Sequence, residues 1–392
     1  MLSPMSKNQT ISPPQPTIAV VGGGIMGALT CLTAAHLGES VLWFGQKEQD
    51  RTDGADARNY ALSPLTVELL KRIGVWAALE PLTCTVSRME VFTGKTRVDL
   101  SATDAGADYL SVMVLHRDLL NALEQAVTFR PQIHRIEARP DAMQAHRDRV
   151  ELQAVGKTHR VKLVVGADGA RSWVRQQSGI LWGQRDYGQQ GVVATFRTEY
   201  PHGAVAAQWF DGADILALLP LKDPHLMSMV WSTSRANPTS TEVMAQFASE
   251  IQERTQSRFG HLALEGAAVA APLRMMLTES QSALRTVLVG DAAHTVHPLA
   301  GYGLNLGVQD LLSLEEIWQK HRDDPGSDSA LQSYERSRVL RVKRVQWGLD
   351  ILQRLVTQSH PSMSRLREFG MRLVADIGPL RQFLIRQAIS PQ

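Results

Sequence analysis

The sequence predicts a mixed α/β protein in which a Rossmann-like dinucleotide-binding domain is interleaved with a β-sheet domain and followed by C-terminal helices. Three observations lead there. The apolar run Thr17 to Val21 passes at once into Gly22-x-Gly24-x-x-Gly27 and then into a helix-period stretch, Ala28 to Leu37. A second apolar strand, Leu163-Val164-Val165, runs into Gly166-Ala167-Asp168-Gly169. A third, Thr286 to Val289, runs into Gly290-Asp291 and on to a helix-period run from Leu304 to Trp318. Three strand ends that each close on a glycine turn are hard to explain as unrelated structure.

Composition bounds the class without selecting the reaction. A chain of 392 residues has room for more than one domain and a substantial core. Its 41 Lys and Arg against 39 Asp and Glu exclude the basic footprint of a dedicated nucleic-acid binder. Only Cys31 and Cys84 occur, without a C-x-x-C pair or a Cys/His cluster at ligand spacing. They read as reduced, structural thiols of a cytoplasmic protein, and no metal site is expected. No apolar run is long enough to span a bilayer, and the N-terminus lacks the basic and apolar regions of a signal peptide. Any membrane contact is therefore expected to be peripheral. Internal repeats and low-complexity tracts are absent.

Taken in order, Met1 to Pro16 is polar and proline-rich and reads as a disordered leader. In the fingerprint, Gly22 makes the turn, Gly24 admits a pyrophosphate and Gly27 lets helix and strand pack. Val41 to Phe44 is the second strand, after which the pattern asks for an acid to grip a ribose hydroxyl. Gly45 stands there instead, and Gln46, Glu48 and Asp50 offer no clean replacement. Then comes Arg58, and a helix with Ser63 as N-cap, Pro64 at its first position and Gly74 as its stop. From Cys84 to Leu110 short alternating runs predict strands of a second region. Arg117 opens a helix through Ala126, and Ile133 to Val161 reads as a hairpin region. Residues Gly191 to Pro272 carry strands at Val192 to Phe196, Leu216 to Pro220 and Met227 to Trp231, with a helix from Glu242 to Phe259. A sheet with a covering helix gives a concave apolar wall suited to a substrate. His202 and Gln208 in this stretch read as structural donors rather than catalysts. Leu304 to Arg322 is helical, Asp323 to Ser329 a loop, and helices continue from Ala330 to a last one at Leu380 to Ile389.

The chemistry centres on Gly290 to Asp310. Gly301 and Gly303 let backbone N–H groups approach a ligand, and the helix that starts there points its positive end at whatever is bound. Asp291, the acid within the loop, is suited to accept a hydrogen bond from a hydroxyl.

The trio Gly22-x-Gly24-x-x-Gly27, Gly166-Ala167-Asp168-Gly169 and Gly290-Asp291 resembles the signature of single-component FAD-dependent aromatic hydroxylases related to para-hydroxybenzoate hydroxylase. The run from His294 to Asp310, with Arg58, Arg117, His202 to Phe210, Leu216 to Leu221 and Leu331 to Arg338, is similar to the branch that hydroxylates polyprenyl phenols in ubiquinone biosynthesis. The resemblance implies FAD as cofactor and NAD(P)H as co-substrate, with oxygen transferred to an electron-rich ring from a flavin hydroperoxide. It implies cofactor contacts from Gly22, Gly24, Gly27, Arg58, Arg117, Asp168, Gly169, Gly290, Asp291, Gly303, Leu304 and Asn305. Pro298 is implied to lie against the ring where oxygen reacts, and the backbone from Gly301 to Asn305 to stabilise charge on reduced flavin. Arg58 and Arg117 also read as ordinary surface cations.

The resemblance divides the chain into an FAD-binding domain (17–83, 110–182 and 276–340), a substrate domain (84–109 and 183–275) and a C-terminal helical region (341–392). The excess of Arg and Lys from Arg336 onward suits a solvated helical face, or peripheral contact with the inner membrane or a biosynthetic complex. Tyr302 stands where this branch commonly has glutamine. Two other readings are compatible: a hydroxylase of a soluble phenol or secondary metabolite, and a flavin-binding accessory protein of a biosynthetic complex.

Overall fold

A computed structural model of the chain describes residues 16–47, 57–94, 96–211, 214–295 and 302–357. Its first unit is β1 (Ile18–Val21), a glycine turn, α1 (Ile25–His36) and β2 (Val41–Phe44). β3 (Asn59–Leu62), α2 (Pro64–Arg72) and α3 (Trp76–Leu79) follow, then β4 (Cys84–Val86), β5 (Arg88–Thr93), β6 (Thr96–Ser101), β7 (Ser111–Leu115) and α4 (His116–Thr128). Next are β8 (Ile133–Ile136), β9 (Ala142–Ala145), β10 (Val150–Ala154), β11 (Lys157–Val161), β12 (Leu163–Gly166) and α5 (Trp173–Gln177). The second half carries β13 (Trp182–Thr198), β14 (Val205–Asp211), β15 (Asp214–Pro220), β16 (Leu226–Thr233), α6 (Thr241–Arg254) and β17 (Leu262–Thr278). It ends in β18 (Ser282–Ala283), β19 (Thr286–Leu288), β20 (His294–Thr295), α7 (Tyr302–Lys320) and α8 (Asp328–Thr357).

A six-stranded sheet ordered β18-β19-β12-β1-β2-β8 forms the base, parallel except at β18. Its central strands are apolar on both faces because both are covered. Ile18 and Val20 point into the core shared with Leu29 and Leu32 of α1, Leu120 and Leu123 of α4, and Leu311 and Leu314 of α7. Ala19 and Val21, one residue out of phase, pack with Val150, Leu152 and Val161 of the antiparallel β9–β11 meander. The mixed α/β architecture matches the expectation, with differences in detail. Ile133–Ile136, expected within a hairpin region, pairs in parallel with β2 at the sheet edge, and the meander begins only at Ala142. Short apolar runs do not reveal a long-range partner.

The second layer is an eight-stranded sheet ordered β20-β17-β13-β16-β15-β14-β5-β6. Met244, Phe247 and Ile251, at helical spacing on α6, close over its Val192, Phe196 and Trp231, with the Trp231 and Phe247 rings stacked at 4.3 Å. Truncating Phe247 to Ala would cost about 3–5 kcal/mol through the cavity left behind. The strands β14 and β17 were not separately foreseen. The first strand of the stretch from Cys84, β4, pairs with β7 in a small β3-β7-β4 sheet, whereas β5 and β6 join the large one.

The helix boundaries follow local chemistry. Ser63 Oγ accepts from the Thr66 N–H at 3.3 Å with Pro64 at the first position of α2, and Gly74 follows at a φ of 80°. Tyr334 of α8 donates its hydroxyl to the Leu288 carbonyl at 2.9 Å, pinning α8 to the base sheet.

Candidate active site

The carboxyl ends of β1, β12 and β19 are stitched side by side: Ala167 N–H donates to Val21 O at 2.8 Å and Val289 N–H to Gly166 O at 3.0 Å. A cleft of about 870 Å³ opens there. Ligands of open α/β sheets bind at this edge because the turns leaving the strands present unsatisfied backbone N–H groups.

Gly22 has a φ of 134°, and a Cβ on it would lie 2.3 Å from the Ala167 carbonyl oxygen. A Cβ on Gly27 would lie 1.9 Å from the Gly22 carbonyl oxygen, so no larger residue lets α1 reach its turn. The same carbonyl accepts from Trp43 Nε1 at 2.7 Å. Gly24 caps α1 and lines the cleft bare of any side chain.

Of the residues predicted from sequence, Gly22, Gly24, Arg58, Asp168, Gly169, Gly290, Asp291, Gly303 and Leu304 line this one cleft. Pro298 and Gly301 lie outside the described residues. Three others stand apart. Gly27 acts through packing. Arg117 is turned outward, its side chain 62% exposed and 3.5 Å from Asp118. Asn305 serves as a brace: its Oδ1 accepts from Ser63 N–H (2.9 Å) and Thr66 Oγ1 (2.7 Å), and its Nδ2 donates to Ala61 O (2.8 Å). It fixes the start of α7 against β3 and α2, and so places the backbone of Gly303 and Leu304.

Asp168 Oδ2 accepts from the N–H groups of Trp173 and Val174 at 2.7 and 3.1 Å, capping α5. Its Oδ1 is buried with no partner among the described residues. Such an acceptor calls for a donor from a ligand or water. The Asp291 side chain is open to the cleft, and the protein packed around it pushes its carboxyl up from the ordinary value, with His294 pulling it back. Behind the turn, Asp310 accepts from Arg338 Nε (2.7 Å) on one oxygen and from the Gly290 N–H (2.9 Å) on the other, where His294 Nε2 also lies at 2.7 Å. Those three side chains are at most 1% exposed. Burial raises the Asp310 carboxyl, but the charges of His294 and Arg338 and the hydrogen bonds outweigh it, and the net direction is down. The Gly290–Asp291 turn is thus pinned to α7 and α8 by a dry ionic network.

Several residues of the cleft were missed by sequence reasoning, among them Asn59, Tyr60, His116 and Arg139, and Gln46, set aside as a replacement for the missing acid, lines it too. The Tyr60 hydroxyl lies 3.0 Å from His116 Nδ1, joining β3 to the first residue of α4. Both neighbour arginines that had been singled out, and only the antiparallel pairing of β3 with β7 brings them together. His202, by contrast, is a buried structural group, its Nε2 3.0 Å from Leu221 O and its Nδ1 accepting from Ala204 N–H.

The glycine turn, the cation Arg58, the orphaned Asp168 oxygen and the open Asp291 carboxylate together suit a dinucleotide with phosphates and free hydroxyls. The model of the FAD binding domain family matches residues 15–347. The chain belongs to this FAD-binding family. The flavoprotein is 33% identical over 389 residues to 3-demethoxyubiquinol 3-hydroxylase of Escherichia coli, covering 96% of this chain and 99% of the relative. It is 30% identical over 383 residues to ubiquinone hydroxylase UbiL of Rhodospirillum rubrum, covering 95% and 89%. Its fold matches p-nitrophenol 4-monooxygenase of Pseudomonas putida with a TM-score of 0.79 at 17% identity, over 96% and 99% of the two chains. In this flavoprotein the turn from Gly22 to Gly24 and Arg58 would hold the FAD pyrophosphate. Asp291 would accept from a hydroxyl of the ribityl chain.

Proposed function

We propose that the protein hydroxylates the aromatic ring of a polyprenyl phenol in ubiquinone biosynthesis, as an FAD-dependent monooxygenase that consumes NAD(P)H and O2. The observation that carries this reading is the end-to-end match, at 33% identity, to a ubiquinol hydroxylase. When bound, FAD reduced by NAD(P)H supplies the activated oxygen.

The chain's own residues hold and orient. Backbone N–H groups at the glycine turn and the Arg58 guanidinium take up phosphate charge. The Asn305 brace sets the N-terminal end of α7, whose dipole favours negative charge at the cleft. The Tyr60 hydroxyl and His116 Nδ1 form a pair able to take a proton from a phenol, and a phenolate ring is the better nucleophile towards an electrophilic oxygen. Asn59, which lines the cleft, also donates through Nδ2 to Ser228 Oγ and so ties β3 to the eight-stranded sheet.

A polyprenyl substrate resides in a bilayer, so the protein must meet one. No helix among the described residues is long and apolar enough to cross. On α8, Arg336, Leu340, Lys343 and Arg344 form one exposed stripe, with Leu340 at 63% exposure, opposite the buried Tyr334, Arg338 and Val342. A basic stripe around an exposed leucine suits peripheral contact with anionic lipid.

The test is a quinone profile by mass spectrometry of the source organism with and without the gene. Accumulation of a polyprenyl phenol short of one hydroxyl supports the reading and identifies the oxygen. An unchanged profile in a strain with no redundant hydroxylase overturns it.

A further inference from the structure

The dinucleotide fingerprint asks for a carboxylate at the end of β2, and the structure explains why none is present. A Cβ on Gly45 would lie 2.5 Å from Gly23 Cα and 2.6 Å from Gly23 N. A Cβ on Gly23 would in turn lie 2.1 Å from the Gln46 carbonyl oxygen. The two backbones are in direct contact, so position 45 has no room for a side chain that could reach a ribose. The group that does this work must come from elsewhere.

β8 supplies the neighbouring strand end. It runs parallel to β2 with Ile136 beside Phe44, and the Gly45 N–H donates to Ile136 O at 3.1 Å. The residues just after β8 therefore leave the sheet beside Gly45, and among them Arg139 lines the cleft together with Gln46. Arg135, within β8 itself, is held by protein partners. Its Nη1 donates to both carboxylate oxygens of Glu124 at 2.8 and 2.6 Å, its Nε donates to Gly45 O, and its guanidinium carbon is 4.1 Å from the Trp43 ring centroid. Arg139 has no carboxylate partner among the described residues; its guanidinium carbon sits 6.0 Å from the Trp173 ring centroid, at the outer limit of a cation–π contact. A guanidinium with no carboxylate partner among the described residues thus stands at the cleft wall, just past the strand end beside Gly45.

We propose that Arg139, with the Gln46 side-chain amide, recognises the adenosine monophosphate half of FAD in place of the missing carboxylate. The hydrogen-bonding polarity is inverted. A carboxylate only accepts, taking the ribose hydroxyl protons, whereas a guanidinium only donates, to hydroxyl or phosphate oxygens. The Gln46 amide oxygen accepts the hydroxyl proton that Arg139 cannot. The positive charge also makes this end of the site salt-sensitive, which an acid contacting neutral hydroxyls would not do. The inference rests on membership of the FAD-binding family and not on the identity of the hydroxylated substrate.

The test measures binding rather than turnover. FAD and FMN are titrated into the full-length chain freed of flavin, following flavin fluorescence, with the wild type, Arg139→Ala, Arg139→Lys and Gln46→Ala. FMN carries the flavin and one phosphate but lacks the adenosine monophosphate half. Arg139→Ala should weaken FAD about tenfold, the order expected for loss of one charge-assisted contact. FMN affinity should stay within twofold, and Arg139→Lys should recover part of the loss. AMP should compete with FAD in the wild type and several-fold more weakly in Arg139→Ala. Gln46→Ala should give a smaller FAD-selective loss. Unchanged FAD affinity in Arg139→Ala, or equal weakening of FAD and FMN, overturns the proposal. Circular dichroism matching the wild type assigns a loss to binding, since the Arg139 side chain is exposed.

Discussion

Replacing Asp310 by Asn tests the idea that the Gly290–Asp291 turn is held by a dry ionic network. The substitution is nearly isosteric but removes the countercharge of Arg338, whose side chain is 0% exposed, as is that of Asp310. It also presents an amide N–H to one of the donors that now point at the carboxylate: Arg338 Nε, or the Gly290 N–H and His294 side. Breaking a buried pair from one side costs about 3–5 kcal/mol, because the surviving charge stays buried without a partner. For 392 residues, an unfolding entropy of about 2.1 cal/mol/K per residue totals roughly 0.8 kcal/mol/K. A loss of about 4 kcal/mol then lowers Tm by roughly 5 °C if the chain melts as one unit. The assay is calorimetry of Asp310→Asn, Arg338→Met and the double variant, with flavin content measured alongside. The double variant should lose clearly less than the sum of the singles, and all three should retain less FAD. A melting point within about 1 °C of wild type for Asp310→Asn, or additive losses in the cycle, would refute the reasoning. A pH series adds a sign. The native carboxyl of Asp310 lies below its ordinary value, so its contribution is present above the unfolded carboxylate pKa, near 4, and is lost as pH falls through the lower native value. Asp310→Asn should therefore flatten the acid limb of the stability curve.

Asp291 predicts the opposite combination. Its carboxyl is raised by the protein packed around it, so the ionised form opposes folding as pH rises through the ordinary carboxylate value. Asp291→Asn should stabilise the flavin-free protein at neutral pH while lowering FAD occupancy, and occupancy equal to wild type would remove its assigned role. Tyr60→Phe and His116→Gln should each lower turnover with a phenol substrate while leaving flavin content unchanged; turnover equal to wild type in both argues against a proton role for the pair. Asn305→Ala strips three hydrogen bonds from the start of α7, should destabilise by about 1–3 kcal/mol and should weaken FAD retention, read by thermal melting and flavin release on dilution. Liposomes with anionic lipid should retain the wild type in sedimentation and release Arg336→Glu with Lys343→Glu, whereas neutral liposomes should retain neither.

Much of the base sheet was legible because its signals are local. A fully apolar strand, a glycine whose φ no other residue tolerates and a helix with small residues occupy adjacent positions in Ile18 to Ala35, and the Ser63–Pro64 cap is equally local. Asp168 and Asp291 could be read because each follows a strand directly. The harder parts depend on distant pairing. Ile133–Ile136 carries no mark of its partner β2, and β17 hides in a stretch from Ala263 to Pro272 rich in alanine and poor in alternation, most of it exposed on the edge side of the large sheet. Tyr60 and His116 are separated by 56 positions and meet only through the β3–β7 register. Arg117 was one residue from the cleft: at the first turn of α4, His116 faces inward and its neighbour faces solvent. Asn305 lies beside the cleft as a brace, a difference in role that spacing alone does not express.

The strand order β18-β19-β12-β1-β2-β8 has a consequence for biosynthesis. β1, β2, β8 and β12 are complete by Gly166, but the strand that covers the far side of β12 arrives only with Thr286 to Leu288. On a translating ribosome the nascent base sheet therefore carries an uncovered apolar edge while more than a hundred further residues are made. Exposed edges of this kind recruit foreign strands. Asp291, the Asp310 network and α8 arrive later still, so cofactor capture is delayed until nearly all of the described chain has emerged. Growth conditions that slow elongation or deplete chaperones should penalise yield of soluble protein more than flavin supply does.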